Sequence, residues 1–348
     1  MVYINKIILP VKYPMITSVP NDANAVAIIA SDSDLHPWLY NNFIQIYQRN
    51  PKCAITYFDF HYKSAPMIYI KKMDKKLLNI QDEDYFYELL KNAIQQNNYI
   101  YLMINSGYIS AYPEHSRFDH DIMVFGYDND KKIFHIADSF INDRYSFETC
   151  TYKELFLGVN NVSKEKENYL GFRNCIELIN LEKAHYMKFE IERVKTSIQD
   201  YINGTPTTLW FSQNQIWHHD ITERKFGINC YDALVDVLEK ITPISYRFMV
   251  ISVTIMHEHK NIMVKRLLFL EKIYNIDMKD IIDFYKEIEK DALICRNLFV
   301  KYTLSQNEKY IKIIIDLYND IRRRERKILI KILAVLRYLP QLKLFEMI

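Results

Sequence analysis

The sequence predicts an α+β protein. Two observations carry that reading. Short helices are followed by a run of strand-like segments with a clear antiparallel hairpin, and from Tyr231 onward the pattern turns almost wholly helical, with apolar residues at spacings of three and four (Ile281, Ile282, Tyr285, Ile288, Leu293). The expected organisation is an α+β catalytic domain over residues 1–181 and a mostly helical region over 182–348, packed on the first.

The elements follow in order. Asn21 to about Ser31 reads as a short helix capped by Asp22 or Asn24. Pro37-Trp38 opens a second apolar helix, W-L-Y-N-N-F-I-Q-I-Y. Cys53–Phe60 and Met67–Met73 read as strands, Glu83–Gln96 as an amphipathic helix and Tyr99–Asn105 as a strand. A hairpin over 119–140, a strand at Tyr145–Thr151 and a helix from Tyr152 come next. Lys164–Asn168 is a charged turn, and Tyr169–Leu181 another strand. Glu182–Asn203 is a bridging helix broken by Gly204-Thr205-Pro206. Thr207–Ile221 has a β-like aromatic alternation, and helices are expected at roughly 231–240, 245–274, 278–303 and 307–336.

Composition excludes several classes. At 348 residues, 49% of them hydrophobic, the chain can bury a sizeable core. A net charge of +2 implies no strong field toward nucleic acid or membrane. Only 6 glycines occur, and no G-x-x-x-x-G-K or G-x-G-x-x-G motif is present. The five cysteines, Cys53, Cys150, Cys175, Cys230 and Cys295, are scattered and odd in number, so neither a disulfide framework nor a zinc site is expected. The N-terminal apolar run is too short for a signal peptide, and no apolar stretch reaches membrane-spanning length. The expectation is a soluble, cytoplasmic protein. The abundance of Ile, Lys, Asn and Tyr reflects an AT-rich coding sequence rather than a function.

The hairpin carries the chemistry. Its sequence is D-H-D-I-M-V-F-G-Y-D-N-D-K-K-I-F-H-I-A-D-S-F. With a three-residue loop at Asp128-Asn129-Asp130, Tyr127 faces Lys131 and His120 stands directly opposite Asp138. Opposed residues have Cβ atoms about 4.5–5.5 Å apart, close enough for a carboxylate to hold one ring nitrogen and leave the other as a base. These are two members of a nucleophilic triad. A nucleophile is expected near a helix N-terminus, where free N–H groups and the helix dipole stabilise a thiolate and a developing oxyanion. The early helix contains no cysteine but four alanines: Ala23, Ala25, Ala27 and Ala30.

The helix-then-sheet order, the W-L-Y-N-N-F-I-Q segment and the H-D-I-M-V-F-G-Y-D…I-A-D hairpin resemble the papain-like cysteine peptidases. More closely, they resemble the family of the butirosin-biosynthesis acyltransferase and its amide-forming relatives in polythioamide assembly. The likeness covers mainly residues 15–180. It implies a papain-like fold and a Cys–His–Asp triad in which His120 and Asp138 keep their roles. An amide six residues before the nucleophile helps form the oxyanion hole in such enzymes. Asn21 lies six before Ala27, so Ala27 is the first choice for the nucleophile's place and Ala23, in the first turn, the second. Either a deliberate Cys→Ala change or a natural non-catalytic relative accounts for the missing thiol.

What the resemblance implies is an amide-forming acyltransferase of thiotemplated natural-product biosynthesis. An acyl or peptidyl carrier protein would deliver a thioester, the enzyme cysteine would take the acyl group, and a small-molecule amine would accept it. No cofactor or metal is implied beyond the carrier's phosphopantetheine. A cysteine peptidase or thioesterase of the same fold, or a binding protein without catalysis, are the alternatives.

Plainer readings exist for each feature. His120 and Asp138 can be a structural ion pair. Asp128-Asn129-Asp130 is a turn rather than a calcium loop. His218-His219 beside Trp217 fit an aromatic surface hairpin better than a metal site. His257 and His259, two apart on a helix, do not share a face and read as solvent or interface residues. Met256, Met263 and Met278 read as core filler. The basic run Arg322-Arg323-Arg324 with Arg326 is a solvated helix face, or a dock for an acidic carrier protein.

Overall fold

The computed structural model describes residues 5–48, 55–57, 65–113, 117–141, 144–163, 175–182, 189–206 and 224–340. Their order is β1 (Lys6–Ile8), α1 (Pro20–Ile29), α2 (His36–Leu39), β2 (Ile46–Gln48), β3 (Ile55–Tyr57), β4 (Ile68–Asp74), α3 (Glu83–Gln95), β5 (Tyr99–Asn105) and β6 (Asp119–Asp128). Then follow β7 (Ile133–Ser139), β8 (Tyr145–Thr151), α4 (Tyr152–Asn160), β9 (Cys175–Leu181), α5 (Ile191–Asn203), α6 (Cys230–Leu238), α7 (Tyr246–Tyr274), α8 (Lys279–Ser305) and α9 (Lys309–Leu336). The fold class is α+β, with an antiparallel sheet followed by a helical C-terminal half.

The chain divides into two compact units. The first comprises residues 1–33 and 62–186, the second 34–61 and 187–348. Residues 34–61 therefore belong with the helical unit rather than with the sheet, as a continuous boundary at 181 would have had it.

In the first unit, seven strands form one antiparallel sheet, ordered β4-β9-β5-β6-β7-β8, with β1 pairing the far end of β6. Helices α3 and α4 cover one face. Gln95 donates to the Tyr127 hydroxyl, Tyr152 packs on Phe134 with ring centroids 4.4 Å apart, and Gly158 sits against Ile104. Both helices start where their sequence says they should: Asp82 accepts from the Tyr85 amide, and Thr151 and Glu154 form a capping box. The opposite face meets α1, where Tyr145 donates to Asn24 and Tyr101 to Asn21.

Helix α1 starts a residue earlier than the sequence suggests. Its N-cap is Val19, with no side-chain cap, and Pro20 occupies the first turn, where its missing N–H costs nothing. Neither Asp22 nor Asn24 caps it; both are buried inside it.

The second unit explains why W-L-Y-N-N-F-I-Q-I-Y is not a long helix. After the four residues of α2 the backbone turns, and Phe43 takes a left-handed φ of 62°. Three carbonyls of this segment accept from fully buried side chains of α7. Arg266 donates to Tyr40 O at 2.8 Å and to Asn42 O, and His259 donates to Ile44 O at 2.8 Å. An α-helix would have used those carbonyls itself, so the tertiary donors override the local propensity. One residue on, Lys260 meets Glu325 of α9 at 2.7 Å, both fully buried. Glu325 also accepts from Tyr201, Tyr231 and Tyr285, at 3.1, 2.7 and 2.5 Å. Burial lowers the Lys260 pKa, while Lys260 and His259 outweigh burial at Glu325 and lower its pKa. His259, expected at a surface or interface, is instead wholly buried and held neutral: burial and the Lys260 charge drop its pKa to about 3. Met256, Met263 and Met278 are core.

Candidate functional site

The site is set by the phase of the β6–β7 hairpin. Asp128 pairs with Ile133, so the turn spans four residues, 129–132, instead of the expected three. Tyr127 pairs with Phe134. Carried down the strands unchanged, that register would set Asp138 level with Met123 and place it on the face opposite His120. A bulge intervenes. Past it, Val124 pairs with Ile136 and Met123 with Ala137, leaving Phe125 as the extra residue. One residue further, Asp138 comes level with Ile122, on the same face as His120. Gly126 lies next to the bulge because β1 crosses there: a Cβ would stand 2.6 Å from Ile7 O and 2.9 Å from Ile8 Cα.

His120 therefore reaches Asp138 on the diagonal, with Nδ1 3.0 Å from Oδ2. The same Nδ1 lies 2.8 Å from Asp121 O. Two acceptors at one nitrogen keep a proton on Nδ1, so Nε2 is the nitrogen that gains and loses the second proton. Asp138 is fully buried, and Tyr112 donates its hydroxyl to the same Oδ2. Oδ1 is buried without a hydrogen-bond partner. Phe118 meets the imidazole edge-on at 5.5 Å, and the His120 side chain remains 24% exposed. Burial opposes charge on His120, but Asp138 outweighs it, with Asp121 adding, and raises the pKa to about 9. The ring is an imidazolium at neutral pH, the form that stabilises a neighbouring thiolate.

Adjacent strand residues alternate, so Asp121 carries its carboxylate to the α1 face. There it accepts from the Tyr101 hydroxyl, which also bonds Asn21 Oδ1. Burial raises the Asp121 pKa, against the lowering effect of His120. Asn21 is thus tied by its oxygen. It connects to the His120–Asp138 pair through Tyr101 and Asp121.

Ala27 and Ala23 are both fully buried in α1. Ala27 is the eighth residue of the ten-residue helix, and its carbonyl accepts from the Lys12 amide at 3.0 Å. At 1.5 Å per residue it lies about 9 Å along the axis from Asn21, outside the first turn where unpaired N–H groups gather. Ala23 is in that turn, its own N–H accepted by Val19 O at 2.8 Å. The structure thus brings His120 and Asp138 together, joins Asn21 to them indirectly, and makes no hydrogen bond from Ala27 to any of the three.

The other candidates resolve individually. Cys150, Cys175, Cys230 and Cys295 are buried free thiols, and burial raises the pKa of Cys150 and Cys295. Cys53, Trp217, His218 and His219 lie outside the described residues. The turn oxygens that might have met calcium are engaged: Asp128 accepts from the Lys131 amide, Asn129 from Tyr152 and Asp130 from Asn5. His257 bonds Glu289 at 3.0 Å. Three arginines of the run pair with carboxylates of their own unit, and the fourth with a backbone carbonyl. Arg322 pairs with Asp232, Arg323 with Asp320 at 2.6 Å, Arg324 with Asp291 and Asp320, and Arg326 donates to Ile202 O at 3.3 Å. Among the described residues no group of three or more His, Cys, Asp or Glu is arranged to hold a metal ion, and no helix is long and apolar enough to cross a membrane.

Sequence reasoning missed Tyr101, Tyr112 and Asp121. Asp121 was visible beside His120 in the D-H-D triplet; the two tyrosines, among 27, carried no local signal. No protein-family model matches the chain, and comparison with curated proteins finds no match either.

Proposed function

We propose that His120 and Asp138 are the base and orienter of a papain-like acyl-transfer site, and that the reaction class is amide formation from a carrier-protein thioester. The single observation that carries this reading is the 3.0 Å contact between His120 Nδ1 and Asp138 Oδ2, which holds the ring by that nitrogen. The link from Asp121 through Tyr101 to Asn21 ties the start of α1 to the start of β6, one residue from His120 along the strand. In the complete site a thiolate brought within reach of His120 Nε2 attacks the thioester carbonyl. Asn21 Nδ2 donates to the oxyanion, and the carrier's thiol leaves with the proton from His120. His120 then takes the proton of an incoming amine as the amine displaces the enzyme thiol. Admission of water in its place gives a peptidase or thioesterase.

This chain has no cysteine in α1, so as it stands it forms no thioester there. That same fact, with both alanine methyls fully buried, favours a second reading: a binding protein that keeps the pair and performs no transfer. One experiment separates them. Ala23→Cys and Ala27→Cys variants are mixed with an acyl-carrier thioester, with and without an amine, and followed by intact-protein mass. Acylation of the Ala23→Cys variant, lost on adding His120→Ala, supports the transferase. Acylation followed by release of free acid regardless of amine makes it a hydrolase. No acylation of either variant leaves the binding reading.

A further inference from the structure

We infer that Tyr112 is a positioning residue of this site: its hydroxyl shares Asp138 Oδ2 with the His120 ring and thereby loosens the carboxylate's hold on the imidazole. The inference rests on the reading of His120 as the base. Its geometry stands by itself.

Three facts carry it. Asp138 is fully buried and takes both its donors on one oxygen, while Oδ1 has none. Tyr112 cannot easily turn away: its amide is held by Ile109 O at 3.1 Å, and its ring packs on Phe140 and Phe118 with centroids 4.8 and 6.2 Å apart. A phenol can only donate to a carboxylate, and burial followed by the Asp138 charge keeps this one protonated. Each donor on Oδ2 withdraws charge from the other, so the two bonds compete.

Among the described residues, three further titratable groups act on the pair and Tyr112. Asp121 on β6 adds negative charge beside His120, Cys150 on β8 stands in range of Tyr112, and Tyr145 on β8 feels the Asp138 charge. None of these donates to Asp138. Tyr112 is therefore the group that can set how strongly the carboxylate holds the ring, and so the pH at which His120 becomes a free base.

The test is NMR titration of His120 in four forms of the full chain: unmodified, Tyr112→Phe, Asp138→Asn and the double variant. Removing the hydroxyl alone is expected to raise the His120 pKa by about half a unit or more, because Oδ2 then serves the imidazole alone. In the Asp138→Asn background the same removal is expected to shift it by less than about 0.2 unit, because the route is gone. A Tyr112→Phe variant with unchanged or lowered His120 pKa overturns the inference, as does an equal shift in both backgrounds. The acyl-transfer reading fails separately: a coupled titration with no acylation of the cysteine variants leaves Tyr112 in this role and removes the reaction.

Discussion

His120 and Asp138 meet across a diagonal of the β6–β7 hairpin, Nδ1 to Oδ2 at 3.0 Å, and not face to face. The relationship depends on one unpaired residue, Phe125, whose bulge returns the two side chains to a common face. The pair is therefore a product of strand phase as much as of residue type.

The first expectation concerns pH. The His120 pKa is raised above its unfolded value, to about 9. A raised imidazole stabilises the fold fully below about pH 6.5 and loses that contribution as pH rises through about 9. Two-dimensional NMR should show His120 titrating near 9. In Asp138→Asn it should fall to about 6.5 or lower, since burial remains when the attraction is removed. A titration near 6.5 in the unmodified protein would contradict the pair.

Gly126→Ala should detach β1. A methyl group there meets backbone atoms of Ile7 and Ile8, which cannot yield as a flexible side chain can. The expected cost is about 1–3 kcal/mol. Hydrogen exchange should show faster exchange at Leu9, whose amide bonds Phe125 O at 2.8 Å, with β9 unaffected.

The Lys260–Glu325 centre should respond asymmetrically. Glu325→Gln leaves a buried ammonium without its counter-charge, and about 3–5 kcal/mol should be lost. Lys260→Met leaves the carboxylate with three tyrosine donors. Urea unfolding should show the lysine variant to be the milder of the two.

Arg266→Met should release residues 40–44 more than it destabilises the remainder of the unit. It strips Tyr40 O and Asn42 O of their donor in a buried place. Hydrogen exchange across the segment, read against α8, distinguishes this from global loss.

Much of the fold was legible because it is locally consistent. β5, β8, α3 and the three long helices lie within a few residues of where pattern and caps put them. The failures have physical causes. The segment after Trp38 has helical apolar spacing, but Arg266 and His259, more than 200 positions later, take its carbonyls. The hairpin loop was one residue short in the sequence reading, and the bulge at Phe125 was unseen. The turn displaces the expected register and the bulge takes back part of that displacement, which returns Asp138 to the face of His120 but on a diagonal, and so the two were paired for an incomplete reason. Asn21 and Ala27 both fall inside α1, which starts at Pro20, one residue before the sequence reading put it.

The anchoring of residues 40–44 on α7 has a consequence for synthesis. When Tyr40, Asn42 and Ile44 leave the ribosome, the side chains that will satisfy them have not yet been made. At typical elongation rates they wait about 10–40 s for His259 and Arg266 to emerge. During that interval the nascent chain carries exposed carbonyls and apolar rings between the two sequence segments of its first unit, a stretch suited to holdase chaperones. A gene cut at residue 181 would make that interval permanent.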